Sequence, residues 1–268
     1  DSAIRSAIGI GQVSTVSALT NYPRAATALS TLRTEFPEID IGVHLNITSG
    51  PPRTDRAALS SILTGNGEFR GLSALMDRLG QIPMDALETE LRAQIDVLST
   101  IGIVPDHLSS HHNILAIYPP FQDLLIRLAK TYSLPIRKPV AISQTHTRRY
   151  GYAKTRQRAP RSILGLIFRR PYRAIRLLPG TYLRLLQSER LLVRENVQAP
   201  DHLIDSLYGG ASVRNMRHIL QHLPTGISEL VVHLGECDSA EDVPNSIETA
   251  LLRAQPDPER DAPQDDGA

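Results

Sequence analysis

The chain has 268 residues, with 29 Lys and Arg against 28 Asp and Glu, 9 His and a formal net charge of +1. At 41% hydrophobic and 21% charged it falls in the range of folded globular domains, and no apolar run approaches the ~18 residues a membrane-spanning helix needs. One cysteine, Cys237, excludes an internal disulfide or a zinc site of several thiolates, and the lack of Trp argues against a sugar groove built on Trp stacking.

The first elements are short and regularly spaced. Ser2 to about Ile10 predicts a helix, and Val13 to Thr20 a strand in which Val13, Thr15, Ser17 and Leu19 alternate with Ser14, Val16, Ala18 and Thr20. Pro23 opens a helix to about Phe36, with Ala26, Leu29, Leu32 and Phe36 at helical spacing. Ile39 to Ile47 (IDIGVHLNI) is the next strand. The loop from Thr48 to Gly71 is long enough to suggest a functional role. Met84 to Ile101 predicts an amphipathic helix, with Leu87, Leu91, Ile95 and Leu98 on one face and Glu88, Glu90 and Arg92 elsewhere. A strand follows from Pro105 (PDHLSSH), then a helix from Pro119 to Tyr132 and a strand from Leu134 to Val140.

Charge is uneven beyond that point. Leu124 to Ser188 holds 15 Lys and Arg and no acid, leaving 14 of the 29 cations for the rest of the chain. The predicted basic insertion spans about residues 141–190, and its centre, Thr145 to Gly180, carries Ile163, Leu164, Leu166, Ile167, Phe168, Ile175 and Leu177. Such a segment either packs on the domain with solvated arginines or meets an anionic surface. No RNP-like, zinc-finger or helix-turn-helix pattern accompanies it, so no nucleic-acid partner is expected. Val213 to Leu223 predicts a helix, and Glu229 to Gly235 (ELVVHLG) a strand buried on both faces. The alternation implies a single α/β domain over residues 1–255 with a parallel sheet, barrel or open, and a disordered acidic tail over 256–268. No Gly-x-Gly-x-x-Gly or P-loop supports nucleotide binding.

Histidines are the candidate chemistry. His44, the pair His111 and His112, and His233 lie toward the C-terminal ends of three predicted strands, the edge where parallel α/β folds build their sites. Neutral imidazole is the commonest metal ligand, and hydrolytic metal sites usually add a carboxylate. Asp106, Glu236 and Asp238 are the acids nearest in sequence, with Asp106 at the start of its strand and so at the opposite end. His107, His146, His202, His218 and His222 read as surface or packing residues. No Gly-x-Ser-x-Gly elbow is present, and Cys237 reads as an ordinary small residue.

Three segments resemble the YdjC-like carbohydrate deacetylases. These are GVHLNITSGPP (Gly42 to Pro52), GIVPDHLSSHHN (Gly102 to Asn113) and LPTGISELVVHLG (Leu223 to Gly235), in the family's order. The resemblance implies a distorted (β/α) barrel and a divalent metal, often Mg²⁺, used to hydrolyse an N-acetyl group on an amino-sugar or glycolipid substrate. It places His44 and His111 as metal ligands and His233 as a catalytic acid. The family opens on a strand ending Ala-Asp-Asp-Phe-Gly; Asp1 aligns beyond it, so the expectation is a barrel lacking its first strand and both aspartates. Ser109 stands where the family has Asp, Asn113 replaces a third His, and Leu234 replaces Pro. Imidazoles without a carboxylate make a weak hard-cation site, so weak metal binding and little or no turnover are expected. The alternative is a non-catalytic relative that docks a membrane or partner through the basic insertion. The expected location is cytoplasmic, with peripheral membrane contact at most.

Overall fold

The computed structural model describes residues 2–139, 187–205 and 212–234. Its elements in chain order are α1 (Ser2–Gly9), β1 (Thr15–Ala18), α2 (Ala25–Glu35), β2 (Asp40–Leu45), α3 (Leu72–Met76), α4 (Met84–Thr100) and β3 (Leu108–Ser110). There follow α5 (Ile114–Ile117), α6 (Pro119–Tyr132), α7 (Ser188–Glu195), β4 (His202–Ile204), α8 (Val213–Gln221) and β5 (Ser228–Leu230).

β1, β2 and β3 form a parallel sheet in that order, with Ser17 opposite Gly42 and His44 opposite Ser109. Parallel pairing requires the chain to cross back between strands, and α2 and α4 lie in the two connections. The predicted strand from Leu134 to Val140 contributes a single parallel bridge, Ile136 to Leu108, with Val140 outside the described residues. Through it the sheet reaches residue 198, since Ile136 N–H donates to the Gln198 carbonyl. β4 and β5 form a second parallel pair. The α/β class is therefore as predicted, whereas no closed barrel is formed among the described residues.

Period-two alternation divides the first sheet into two chemically distinct faces. Ile41, Val43, Leu45 and Leu108 turn to the core and are fully buried, packed with Leu87, Leu91, Ile95 and Leu98 of α4 and with Phe121, Leu124 and Leu128 of α6. Thr15 and Ser17, Gly42 and His44, and His107 and Ser109 occupy the alternate positions, and this polar face carries the candidate site. The apolar stripe of α4 is as predicted, but Glu90 is fully buried beside it. The predicted double-sided burial at Glu229 to Gly235 differs: Ser228, Glu229 and Leu230 are each half-buried, and residues 231–234 continue without a ladder. Strand β4 and helices α3, α5 and α7 carry no prediction from sequence. Ile204 and Ile219 form a small separate cluster with Met216, Leu230 and Val232. The basic insertion lies outside the described residues except for its last residues, where α7 begins; the acidic tail lies wholly outside them, as do His146, Glu236, Cys237 and Asp238. No helix among the described residues is long and apolar enough to cross a membrane.

Candidate functional site

Each of the predicted histidines arrives by a different route. His44 sits one residue before the end of β2. His111 and His112 follow β3 directly in a tight turn, where His112 and Asn113 both adopt left-handed backbone, φ 55° and 52°. Two consecutive non-glycine residues in that region are strained, a condition that persists where surrounding contacts over-determine it. The turn swings both rings toward β2: His111 meets His44 edge-on at 5.5 Å between centroids and overlaps His112 at 3.9 Å. His233, three residues beyond β5, lies within electrostatic reach of both His44 and His111.

Hydrogen bonds fix the rings. Asn46 is fully buried, and its amide orientation is set from both ends: Nδ2 donates to the Ser49 carbonyl (2.9 Å) and to Asn21 Oδ1 (3.0 Å), while Oδ1 accepts from Thr48 N–H (3.0 Å). The same Oδ1 lies 3.1 Å from His111 Nδ1, so that nitrogen is the donor. Thr48 Oγ1 donates to Asn46 Oδ1 and therefore accepts from His111 Nδ1 (2.8 Å) and His112 Nδ1 (3.0 Å). His44 Nδ1 is bound to Ser109 Oγ at 2.7 Å. With each Nδ1 occupied, Nε2 is the nitrogen left to face a ligand, the arrangement in which outer partners orient metal-binding imidazoles.

The loop that supplies Asn46 and Thr48 is held by α4. Gln94 pairs with Asn46 through both backbone groups, accepting from N–H (2.9 Å) and donating to the carbonyl (2.8 Å). One turn earlier, the Glu90 carboxylate accepts from Arg53 N–H, from Thr54 N–H and Oγ1–H, and from Gln94 Nε2. The long loop from Thr48 is thus clamped at its start.

Arg137 is the cation of the site. It is 13% exposed, bonded to Glu229 of β5 at 2.6 Å, and reaches Ser17 of β1 at 3.5 Å, so it ties the two sheets together. Burial first, then the charges of Arg137, His111, His233 and His107, hold the His44 pKa well below the ordinary value. His111 is pushed down to about 4 by burial and by His112 and His233. Burial lowers His112 as well, and burial, Arg137 and His112 lower His233. All four imidazoles are consequently neutral at pH 7 and able to bind a metal or accept a proton. At the end of β4, Asp205 has its carboxyl pushed up by burial, against the opposing effects of a backbone hydrogen bond and Arg137.

The structure places His44, His111, His112 and His233 close to one another. His107, expected from sequence to be a surface or packing residue, lies on the polar face, where Gly42 makes room for it: a Cβ at position 42 would lie 2.2 Å from His107 Nδ1. Asn46, Thr48, Glu90, Arg137 and Asp205 went unrecognised from sequence. No group of three or more His, Cys, Asp or Glu side chains able to hold a metal ion forms among the described residues.

Comparison with known proteins agrees with the motifs. The profile of the YdjC-like protein family matches residues 1–266. A carbohydrate deacetylase of Geobacillus stearothermophilus is 34% identical over 138 residues, 51% of this chain and 52% of its own length. One from Halalkalibacterium halodurans is 33% identical over 129 residues, 48% of this chain and 53% of its own length. Carbohydrate deacetylase 1 of Listeria innocua is 34% identical over 134 residues, 50% of this chain and 52% of its own length. The chain thus spans about half the length of the curated relatives it matches. A crystal structure from Enterococcus faecalis V583, described as that of a candidate cellobiose-phosphate cleavage protein, superposes with a TM-score of 0.70 at 22% identity, covering 95% of this chain and 85% of that one. That likeness establishes the shared fold. With motifs, profile and fold in agreement, the chain belongs to the YdjC-like family.

Proposed function

We propose that the protein hydrolyses the N-acetyl group of an amino-sugar substrate, with His44 and His111 binding a divalent metal and His233 moving the proton. The observation that carries this reading is the pair of neutral, Nδ1-anchored imidazoles at one sheet edge, in a chain similar to carbohydrate deacetylases. His44 and His111 fit as two ligands of a divalent ion, through Nε2. Imidazole donors favour a borderline ion such as Zn²⁺ over Mg²⁺, which takes oxygen ligands and would complete its shell with water and substrate oxygens. When bound, the ion polarises the acetyl carbonyl and the attacking water.

The chain's own groups handle the proton. Because burial and Arg137 keep His233 neutral, it begins as a base rather than an acid. It takes a proton from water as oxygen adds to the acetyl carbon, then returns it to the sugar nitrogen as the C–N bond breaks, releasing acetate and a free amine. Arg137, anchored by Glu229, supplies positive charge beside the developing oxyanion.

Acetate release from N,N′-diacetylchitobiose, measured with the protein loaded with Zn²⁺ or Mg²⁺, tests the proposal. His44→Ala and His111→Ala are expected to lose activity by at least ~100-fold, since even the outer partners that orient a metal ligand are worth about 10–100-fold. Unchanged acetate release in both variants, or none from any N-acetylated sugar with either metal, would refute it.

A further inference from the structure

A continuous line of hydrogen bonds crosses the polar face of the sheet from its N-terminal edge to His44. Thr15 Oγ1–H donates to Asp106 Oδ2 (3.2 Å), and Asp106 Oδ1 contacts His107 Nδ1 (2.8 Å). His107 Nε2 contacts Ser17 Oγ (2.5 Å), Ser109 Oγ–H donates to Ser17 Oγ (3.1 Å), and Ser109 Oγ contacts His44 Nδ1 (2.7 Å). The participants lie on β1, β2 and β3 and on the residues leading into β3, at positions that share one face by strand alternation and register.

The carboxylate sets the direction of the first bonds, and the donors around Ser17 set the rest. Burial acts to raise the Asp106 pKa, but the hydrogen bond and charge of His107, with Thr15, outweigh it and hold the carboxyl below its ordinary value, so Asp106 only accepts. His107 Nδ1 must then carry the hydrogen. Ser17 Oγ accepts from Ser109 O–H and from Arg137 Nη2–H, which fills both of its lone pairs, so its own hydrogen points to His107 Nε2. Ser109 has likewise spent its hydrogen, whether toward Ser17 or toward the Val43 carbonyl at 3.5 Å, and can only accept from His44. His44 is left with its hydrogen on Nδ1 and its lone pair on Nε2.

We propose that Asp106, His107, Ser17 and Ser109 form a polarised relay that fixes the His44 tautomer from the far edge of the sheet. They are positioning residues, and Asp106 acts on a ring it does not touch. Gly42 belongs to the same device, because any side chain there would occupy the place of the His107 ring. The proposal deepens the deacetylase reading, resting on His44 being a working group. Its consequence is that a change at the sheet's N-terminal edge alters which nitrogen His44 presents at the C-terminal edge.

The test reads the ring nitrogens directly and so stands apart from any activity. The full chain, labelled with ¹⁵N-histidine and without added metal, is examined at neutral pH by long-range ¹H–¹⁵N correlation, with His44 assigned from His44→Gln. The wild type is expected to show a protonated Nδ1 and an unprotonated Nε2. Asp106→Asn presents an amide that can donate, which allows the His107 ring, Ser17 and Ser109 to reverse in turn; His44 is expected to move to the Nε2–H form. Ser17→Ala cuts the line and should give mixed tautomers, and Ser17→Thr, which keeps the hydroxyl, should restore the wild-type pattern. If Ser17→Ala fails to fold, the half-exposed, isosteric Asp106→Asn still decides the matter. A His44 that carries its hydrogen on Nε2 in the wild type, or that stays Nδ1–H in a folded Asp106→Asn, overturns the relay. Loss of the relay with deacetylase activity intact would leave the proposed function standing, and the reverse result would leave the relay standing.

Discussion

Replacing Glu90 by Ala removes a fully buried carboxylate that holds the start of the site loop to α4. Its oxygens accept from two backbone amides, Arg53 and Thr54, from the Thr54 hydroxyl and from Gln94 Nε2. An unpartnered buried donor costs about 1–3 kcal/mol. Thr54 Oγ1 can rotate and water can enter beside Arg53, which removes part of that cost, so the expected loss is about 3–5 kcal/mol, among the larger effects of single substitutions. Glu90→Gln keeps one acceptor oxygen while turning a donor toward other donors, and should lose about 1–2 kcal/mol. Urea unfolding at constant m gives the stability change, and amide hydrogen exchange at Arg53 and Thr54 reports the local release. The two measurements should move together. If Glu90→Ala unfolds within about 1 kcal/mol of wild type, with both amides exchanging at wild-type rates, the clamp does not hold the loop.

Other expectations concern the core, the relay's acid and one turn. Phe121 is fully buried with its ring edge-on to Tyr118 at 5.0 Å, so Phe121→Ala should cost about 3–5 kcal/mol in urea unfolding, and a loss under about 1 kcal/mol would contradict the packing. Asp106 has a folded pKa below its unfolded one, so the stability it contributes is present above about pH 4 and lost as pH falls through the lower folded value. The stability gap between wild type and Asp106→Asn should therefore shrink on acidification; a gap constant from neutral to strongly acid pH counts against the carboxylate as acceptor of the His107 and Thr15 hydrogen bonds. Gly50 has φ +67°, and a Cβ there would lie 2.8 Å from the Tyr22 ring. Gly50→Ala should destabilise by about 1–2 kcal/mol, and Tyr22→Ala should rescue only the steric part of that loss.

Much of this architecture is legible in the chain because periodicity carries it. Leu87, Leu91, Ile95 and Leu98 mark α4, the paired prolines at 119 and 120 open α6, and IDIGVHLNI marks β2. Elements of three residues, such as β4, are too short for any pattern to stand out. The histidines at strand ends were visible from their placement, whereas their partners were not. Asn46 and Thr48 look like ordinary loop residues until the fold brings the turn after β3 against them. His107 and Ser17 are separated by 90 positions, and only the register of three parallel strands makes them neighbours. Glu90 occupies a position next to the apolar stripe, where an acid normally faces water. Its burial depends on donors contributed by a loop more than 30 residues away.

The two-faced character of β2 also bears on how mutations at the site will show themselves. Sliding that strand by one residue against its neighbours would drive His44 into the aliphatic layer and turn Val43 and Leu45 toward the polar face. The wrong pairing is thus penalised twice, by a stranded imidazole and by wetted hydrocarbon. An apolar replacement at position 44 would relax the first penalty, leaving an alternative pairing closer in energy to the correct one. Screens that score such variants by activity alone will confuse lost chemistry with lost pairing fidelity. Yield and aggregation at these positions carry as much information as turnover.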